Sequence, residues 1–280
     1  MDSKTRRGLF LQLIALFLIT QALGLWTANT LIKEEVRATI APGKGPEEVE
    51  NSAWLFGYIL GFTAILLVAI KYLRERLLYI LLKAFESLAI FGTSTLVFAS
   101  FFNNLLVVLP AAGLVALRNI YSKNLMLRNV TSVLATAGAG ALLGVSLGIL
   151  PVLVFLILLA LYDFIAVFKT KHMVTLAKAV TKKNLSFTYA MPTPEHTFEL
   201  GTGDMVMPLM FAVSVMAAGK NAMAFPLFLV GPVLILLASL TGLLWTIDYC
   251  SRKEGRVLPA LPPQTVLMVL VWLAVSFAGL

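Results

Sequence analysis

Two of the fourteen acidic residues, Asp163 in LALYDFIAVF and Asp204 in LGTGDMVMPLMF, stand in stretches built otherwise from apolar side chains. An ionised carboxylate in such surroundings is expensive, so it turns toward a bundle interior or a water-filled cavity and is a functional group by default. The remaining acids have simpler explanations. Asp2, Glu34, Glu35, Glu47, Glu48, Glu50, Glu75, Glu195, Glu199 and Glu254 lie in polar segments or beside Lys or Arg, Asp248 is one helical turn from Arg252, and Glu86 follows Lys83 by three residues. Asp204 opens an apolar segment and so could also serve as a helix cap. If Asp163 and Asp204 come within a few ångströms of each other, they cannot both ionise cheaply and will share one proton. One member is then a base toward water and the other an acid toward a carbonyl oxygen, which is the chemistry of peptide-bond hydrolysis. That chemistry implies neither cofactor nor metal. The lone Cys250 and the widely separated His172 and His196 form no soft-ligand cluster.

The elements that must position these acids are membrane spans. Of the 280 residues 59% are hydrophobic and 13% charged, too apolar a balance for a soluble domain. Segments able to cross a ~30 Å hydrocarbon core run over 8–32, 53–72, 77–101, 104–121, 129–149, 151–168, 204–219, 222–247 and 258–280, the fourth and seventh being short. The apolar run over 129–168 divides at Gly148 and Pro151. The basic start followed by a long apolar stretch without a cleavage pattern is a retained first span.

The fold class is therefore all-α, a polytopic membrane protein of nine transmembrane helices forming one membrane domain over 1–280. Spans one to six occupy 8–168, a cytoplasmic-side connection 169–203, and spans seven to nine 204–280. With nine spans, seventeen Lys and Arg fall on the side of the N-terminus and four (Lys33, Arg37, Lys44, Lys220) on the other, while Lys83 lies within a span. That bias puts the N-terminus in the cytoplasm and the C-terminus on the outer side. The net charge of +8 reads as topology signal, which excludes a nucleic-acid partner. The location is a multi-pass membrane protein, in the cell membrane if the source is prokaryotic.

Asp163 lies ~7 to 8 Å below the inner end of span six at ~1.5 Å per residue, and Asp204 opens span seven at the same face. Gly201 and Gly203, just before Asp204, allow unusual torsions and close backbone approach. Pro259, Pro262 and Pro263 in RVLPALPPQTV remove N–H donors and predict an irregular stretch leading into span nine at that depth. Residues 169–184 read as an interfacial amphipathic helix with His172 at its surface. LSFTYAMPTPEHTFELG is β-prone and Pro-broken, and is expected to order on substrate binding and pair with an unwound strand. Gly140, Gly144 and Gly148, spaced four apart, and likewise Gly57 and Gly61, predict close helix packing within the chain. A homo-oligomer is a further candidate partner.

"LYD" on span six, "GTGD" opening span seven and "PAL" opening span nine, in that order within nine spans, resemble the presenilin and signal peptide peptidase family of intramembrane aspartyl proteases, most of all an archaeal-type presenilin homologue. The resemblance implies that Asp163 and Asp204 are the catalytic pair, flanked by Tyr162. It implies further that Gly201, Thr202 and Gly203 shape the substrate approach, and that Pro259, Ala260 and Leu261 line the site. It also implies a transmembrane-helix substrate in the surrounding lipid, cut within the bilayer without a cofactor. Thr202 stands where the family commonly has a larger apolar residue, and the segment over 169–203 is too short for the long self-cleaved loop of presenilins.

Other readings of the same residues are a proton-coupled transporter or ion-leak channel and a prepilin-type peptidase. Against the first, no inverted repeat places the acids in corresponding halves. Against the second, Val206 stands where that enzyme usually has Lys, and "PAL" would be unexplained.

Overall fold

In a computed structural model the chain is described over residues 3–102, 105–166, 188–194, 197–220, 224, 226–251 and 259–278. Among the described residues there are nine α-helices: α1 (Ser3–Lys33), α2 (Glu50–Tyr72), α3 (Glu75–Ala99), α4 (Val108–Ile120), α5 (Leu125–Ser146), α6 (Ile149–Ile165), α7 (Gly203–Lys220), α8 (Val230–Ser251) and α9 (Leu261–Phe277). Six of them, α1, α2, α3, α5, α7 and α8, are long and apolar enough to cross a membrane, and α4, α6 and α9 are shorter apolar helices. The fourth span is a 3-10 turn at Leu105–Val107 running into the 13-residue α4, which is ~20 Å long at ~1.5 Å per residue.

The purely helical expectation needs one correction. Between α6 and α7 lie two strands, β1 (Thr188–Pro192) and β2 (Thr197–Gly201), paired antiparallel with Ala190 opposite Glu199. The segment expected to order on substrate binding is already a hairpin over these residues. The amphipathic helix expected over 169–184, with His172, and the second histidine, His196, lie outside the described residues.

Helix ends follow local chemistry. The Asn124 side chain caps α5 by accepting the Leu127 N–H at 3.1 Å. The division between α5 and α6 falls at Leu147 and Gly148, both extended. There the Gly148 N–H donates to the Pro46 carbonyl at 2.9 Å and Ser214 Oγ to the Leu147 carbonyl at 2.9 Å. A Cβ at Gly148 would collide with the Glu47 carboxylate. In a low-dielectric interior every such backbone group must find a donor or acceptor, and this corner finds them on two different segments, the loop at Pro46 and α7.

The centre of the bundle is α5 against α7. Met205, Leu209, Met210, Phe211, Ala212 and Val213 of α7 are buried all round the helix, the pattern of a core helix rather than a surface one. Glycine makes the contact possible: a Cβ on Gly144 would lie 2.6 Å from the Met210 carbonyl oxygen, and one on Gly140 2.6 Å from Leu209. The same expectation fails for Gly57 and Gly61, where a Cβ would meet nothing within 4 Å. Helical spacing alone does not say which helices have a neighbour over that face.

Two acids also take partners far away in the sequence. Asp248 pairs with Arg6, bringing α8 to the start of α1, while Arg252, its expected partner, lies outside the described residues. Glu86 does bond Lys83, at 2.5 Å, but its other oxygen takes the fully buried Arg118 of α4 at 3.2 Å. Partners so distant in sequence are invisible to an i,i+4 rule.

Gly144→Ala is expected to lower stability in detergent by about 1–3 kcal/mol, because the added methyl must push α7 away. Gly57→Ala should leave the melting temperature unchanged. Thermal melts of both variants, read by tryptophan fluorescence, check the pair together.

Candidate active site

Asp163 sits in the last turn of α6, where its carbonyl accepts the N–H of Ala166. Asp204 is the second residue of α7. It is not the cap, as a helix-start reading allows: the Thr202 carbonyl accepts the first helical N–H groups, from Met205 at 3.1 Å and Val206 at 2.9 Å. Because α6 ends where α7 begins, the two carboxylates lie close enough for their charges to interact. Both side chains are partly buried.

The third segment of the expected constellation, the start of α9, also arrives. The backbone N–H of Leu261 hydrogen-bonds the Asp163 carboxylate, so the start of α9 meets the end of α6. Three prolines explain why a backbone donor is available at that point. Pro262 and Pro263 occupy the first turn of α9, where N–H groups have no intrahelical partner, and Pro259 precedes it. Leu261 is therefore left as the donor at the tip of the helix. Pro259 and Leu261 are buried and Ala260 partly so.

Around Asp204 the glycines leave space. A Cβ on Gly201 would rest 3.4 Å from Asp204 Oδ2, and Gly203 is exposed with nothing within 4 Å of where its Cβ would be. Thr202 is partly buried between them. Tyr162 packs edge-on against Phe56 of α2, ring centroids 6.1 Å apart, and so flanks Asp163 from the α2 side. Of the nine residues singled out from the sequence, eight lie at or beside the ends of α6, α7 and α9, and Gly201 closes β2.

Several residues that hold this arrangement carry no local sequence signal. Gln21, buried on α1, donates to the Met205 carbonyl at 3.1 Å and ties the first turn of α7 to α1. Pro208, one turn further on, has no N–H to give the Asp204 carbonyl, which loosens the helix at the acid. Gln264 accepts from Ser239 Oγ at 2.9 Å, and a Cβ on the neighbouring Gly242 would lie 3.0 Å from the Gln264 Cα; together these seat the start of α9 on α8. Pro208 stands in plain view in the sequence, yet its consequence depends on which carbonyl is four residues back. Gln21 and Gln264 read only as polar residues in apolar helices.

This is a polytopic helical membrane protein with two carboxylates gathered at converging helix ends. Residues 14–276 match the family described as signal-peptide peptidase, presenilin aspartyl protease. Two solved structures, each of a presenilin family intramembrane aspartate protease, share the fold. One, from a C222 crystal form, is 23% identical at a TM-score of 0.65, covering 93% of this chain and 94% of that one. The other, from a P2 form, is 27% identical at a TM-score of 0.65, covering 97% of each. Among curated proteins none matches. The chain belongs to the signal-peptide peptidase and presenilin family: it is an integral, multi-pass membrane protein and a hydrolase, an intramembrane aspartyl protease.

Gln21→Leu should leave the Met205 carbonyl buried without its donor, costing about 1–3 kcal/mol. Proteolytic activity should fall with it, since the turn bearing Asp204 loses its tie to α1. A melting curve and a cleavage assay on the same preparation check both effects.

Proposed function

We propose that this protein hydrolyses peptide bonds within transmembrane helices of substrate proteins, using a water activated between Asp163 and Asp204. The observation that carries the reading is the meeting of these two carboxylates with the Leu261 N–H at the ends of α6, α7 and α9. One aspartate, ionised, takes a proton from water as its oxygen attacks the scissile carbonyl carbon. The other, protonated, donates to the carbonyl oxygen. Collapse of the resulting diol breaks the C–N bond, with a proton passing to the leaving nitrogen, and yields a carboxyl and an amino terminus. No metal or cofactor enters this sequence of steps. The Leu261 N–H orients Asp163, and Gly201 and Gly203 leave room for a substrate backbone.

A peptide bond inside a helix is shielded by its own hydrogen bonds, so cleavage requires local unwinding. The unwound segment then needs new partners, because unpaired backbone groups in a low-dielectric setting cost several kcal/mol each. The hairpin β1–β2 offers them by strand addition, and its end runs directly through Gly201 to Asp204. The excess of Lys and Arg on one side supports a reading in which the N-terminus and the active-site end of the bundle face the cytoplasm.

The test is incubation of the purified protein in lipid with a single-span substrate, fragments being read by mass spectrometry. Asp163→Asn and Asp204→Asn are each expected to reduce cleavage inside the span by at least ~10²-fold while the protein stays folded. Activity in the native chain should be confined to a pH window: at low pH both carboxyls are protonated and no base remains, at high pH both are ionised and no acid remains. Retained cleavage in both variants would remove the dyad from the mechanism.

A further inference from the structure

The hairpin has two edges, and the one along β1 faces α1 and α5. Asn129 of α5 bonds Ala190 of β1 twice: its Oδ1 accepts the Ala190 N–H at 2.8 Å and its Nδ2 donates to the Ala190 carbonyl at 2.8 Å. The carboxamide thereby imitates a neighbouring strand. Since Ala190 spends both backbone groups outward, it cannot exchange bonds with Glu199 opposite, and the alternation of an antiparallel ladder turns Thr188 and Pro192 outward as well. Each of these is also met. The Thr188 carbonyl accepts from Arg128 Nε at 3.2 Å and from Ser132 Oγ at 3.3 Å. Pro192 has no N–H, and its carbonyl accepts from Gln12 Nε2 at 3.2 Å. The three outward carbonyls of β1 are therefore occupied by side chains of α1 and α5.

The hold is firm at its base. Arg128, 3% exposed, also pairs with Glu199 of β2 at 3.0 Å, and the Tyr189 hydroxyl, buried, donates to the Ser132 carbonyl at 3.2 Å. By the same alternation Thr197, Glu199 and Gly201 turn their backbone groups to the opposite edge, along β2, which ends at Asp204.

We infer that Asn129 is a positioning residue for proteolysis: with Arg128, Ser132 and Gln12 it closes the outer edge of β1, so that an extended substrate adds only along β2, in one register toward Asp204. This rests on the strand-addition part of the proposed function. Asn is suited to the role because it matches both the donor and the acceptor of a peptide group. Asp keeps only the acceptor, and Ala keeps neither.

The experiment uses the full chain in lipid and a single-span substrate whose amides near the scissile bond are replaced by esters one at a time, removing single N–H donors. For the native chain, cleavage should drop at every second position. For Asn129→Ala we expect KM to rise about three- to tenfold, the size of one or two net hydrogen bonds, with kcat largely kept. The period-two pattern should blur and cut sites spread to adjacent bonds, and Asn129→Asp should fall between. Gln12→Leu, which touches only the Pro192 contact, should give the same change more weakly and serves where Asn129→Ala does not fold. If the native chain shows no alternation, strand addition itself fails. If alternation is present and neither variant alters KM or the cut sites, or if kcat and the melting temperature fall while KM and the cut sites hold, the edge-closing role of Asn129 is overturned.

Discussion

A carboxylate in hydrocarbon must be given partners by the protein, and the arrangement of this chain follows from meeting that requirement twice in one place. Asp163 and Asp204 sit at helix termini, where backbone groups outside the regular ladder are available. The Leu261 N–H is such a group. It is free for Asp163 because prolines prevent α9 from starting earlier and because α8 holds α9 at the right height through Ser239, Gly242 and Gln264. Chemistry at the site thus depends on where three helices stop and start more than on any side chain added to them.

Those helix ends are fixed by close packing elsewhere. The glycine face of α5 lets α7 approach until backbone touches side chain, and the tight corner at Gly148 sets the offset between α5 and α6. Packing of this kind has little tolerance, since an interior at organic-crystal density relaxes only partly around an added methyl. Precision at the site is inherited from the middle of the bundle, and Gln21 carries it from α1 to the first turn of α7.

The hairpin is a different kind of element, a piece of sheet held by polar side chains of helices. Two strands alone are marginal in water. Here the outward groups of one strand are satisfied by Gln12, Arg128, Asn129 and Ser132, which substitutes for the missing third strand on that side. The strand that runs into Asp204 is thereby oriented by its partner rather than by contacts of its own alone.

Much of this protein is readable from its residues in order. The apolar segments, the division near Gly148, the isolation of Asp163 and Asp204, and the proline break before α9 each follow from local composition, because burial cost, proline geometry and helix length act within a few neighbours. The β-prone character of the stretch after residue 184 is legible for the same reason. What the order of residues leaves open is who meets whom. Arg6 finds Asp248, Arg118 finds Glu86, Arg128 finds Glu199, and Asn129 finds Ala190, all across separations at which a single sequence gives no spacing signal. Gly57 and Gly144 likewise share a residue type and differ only in whether another helix lies over them. Local rules decide which groups are costly to leave alone in a membrane; only the packed bundle decides which partner relieves each of them.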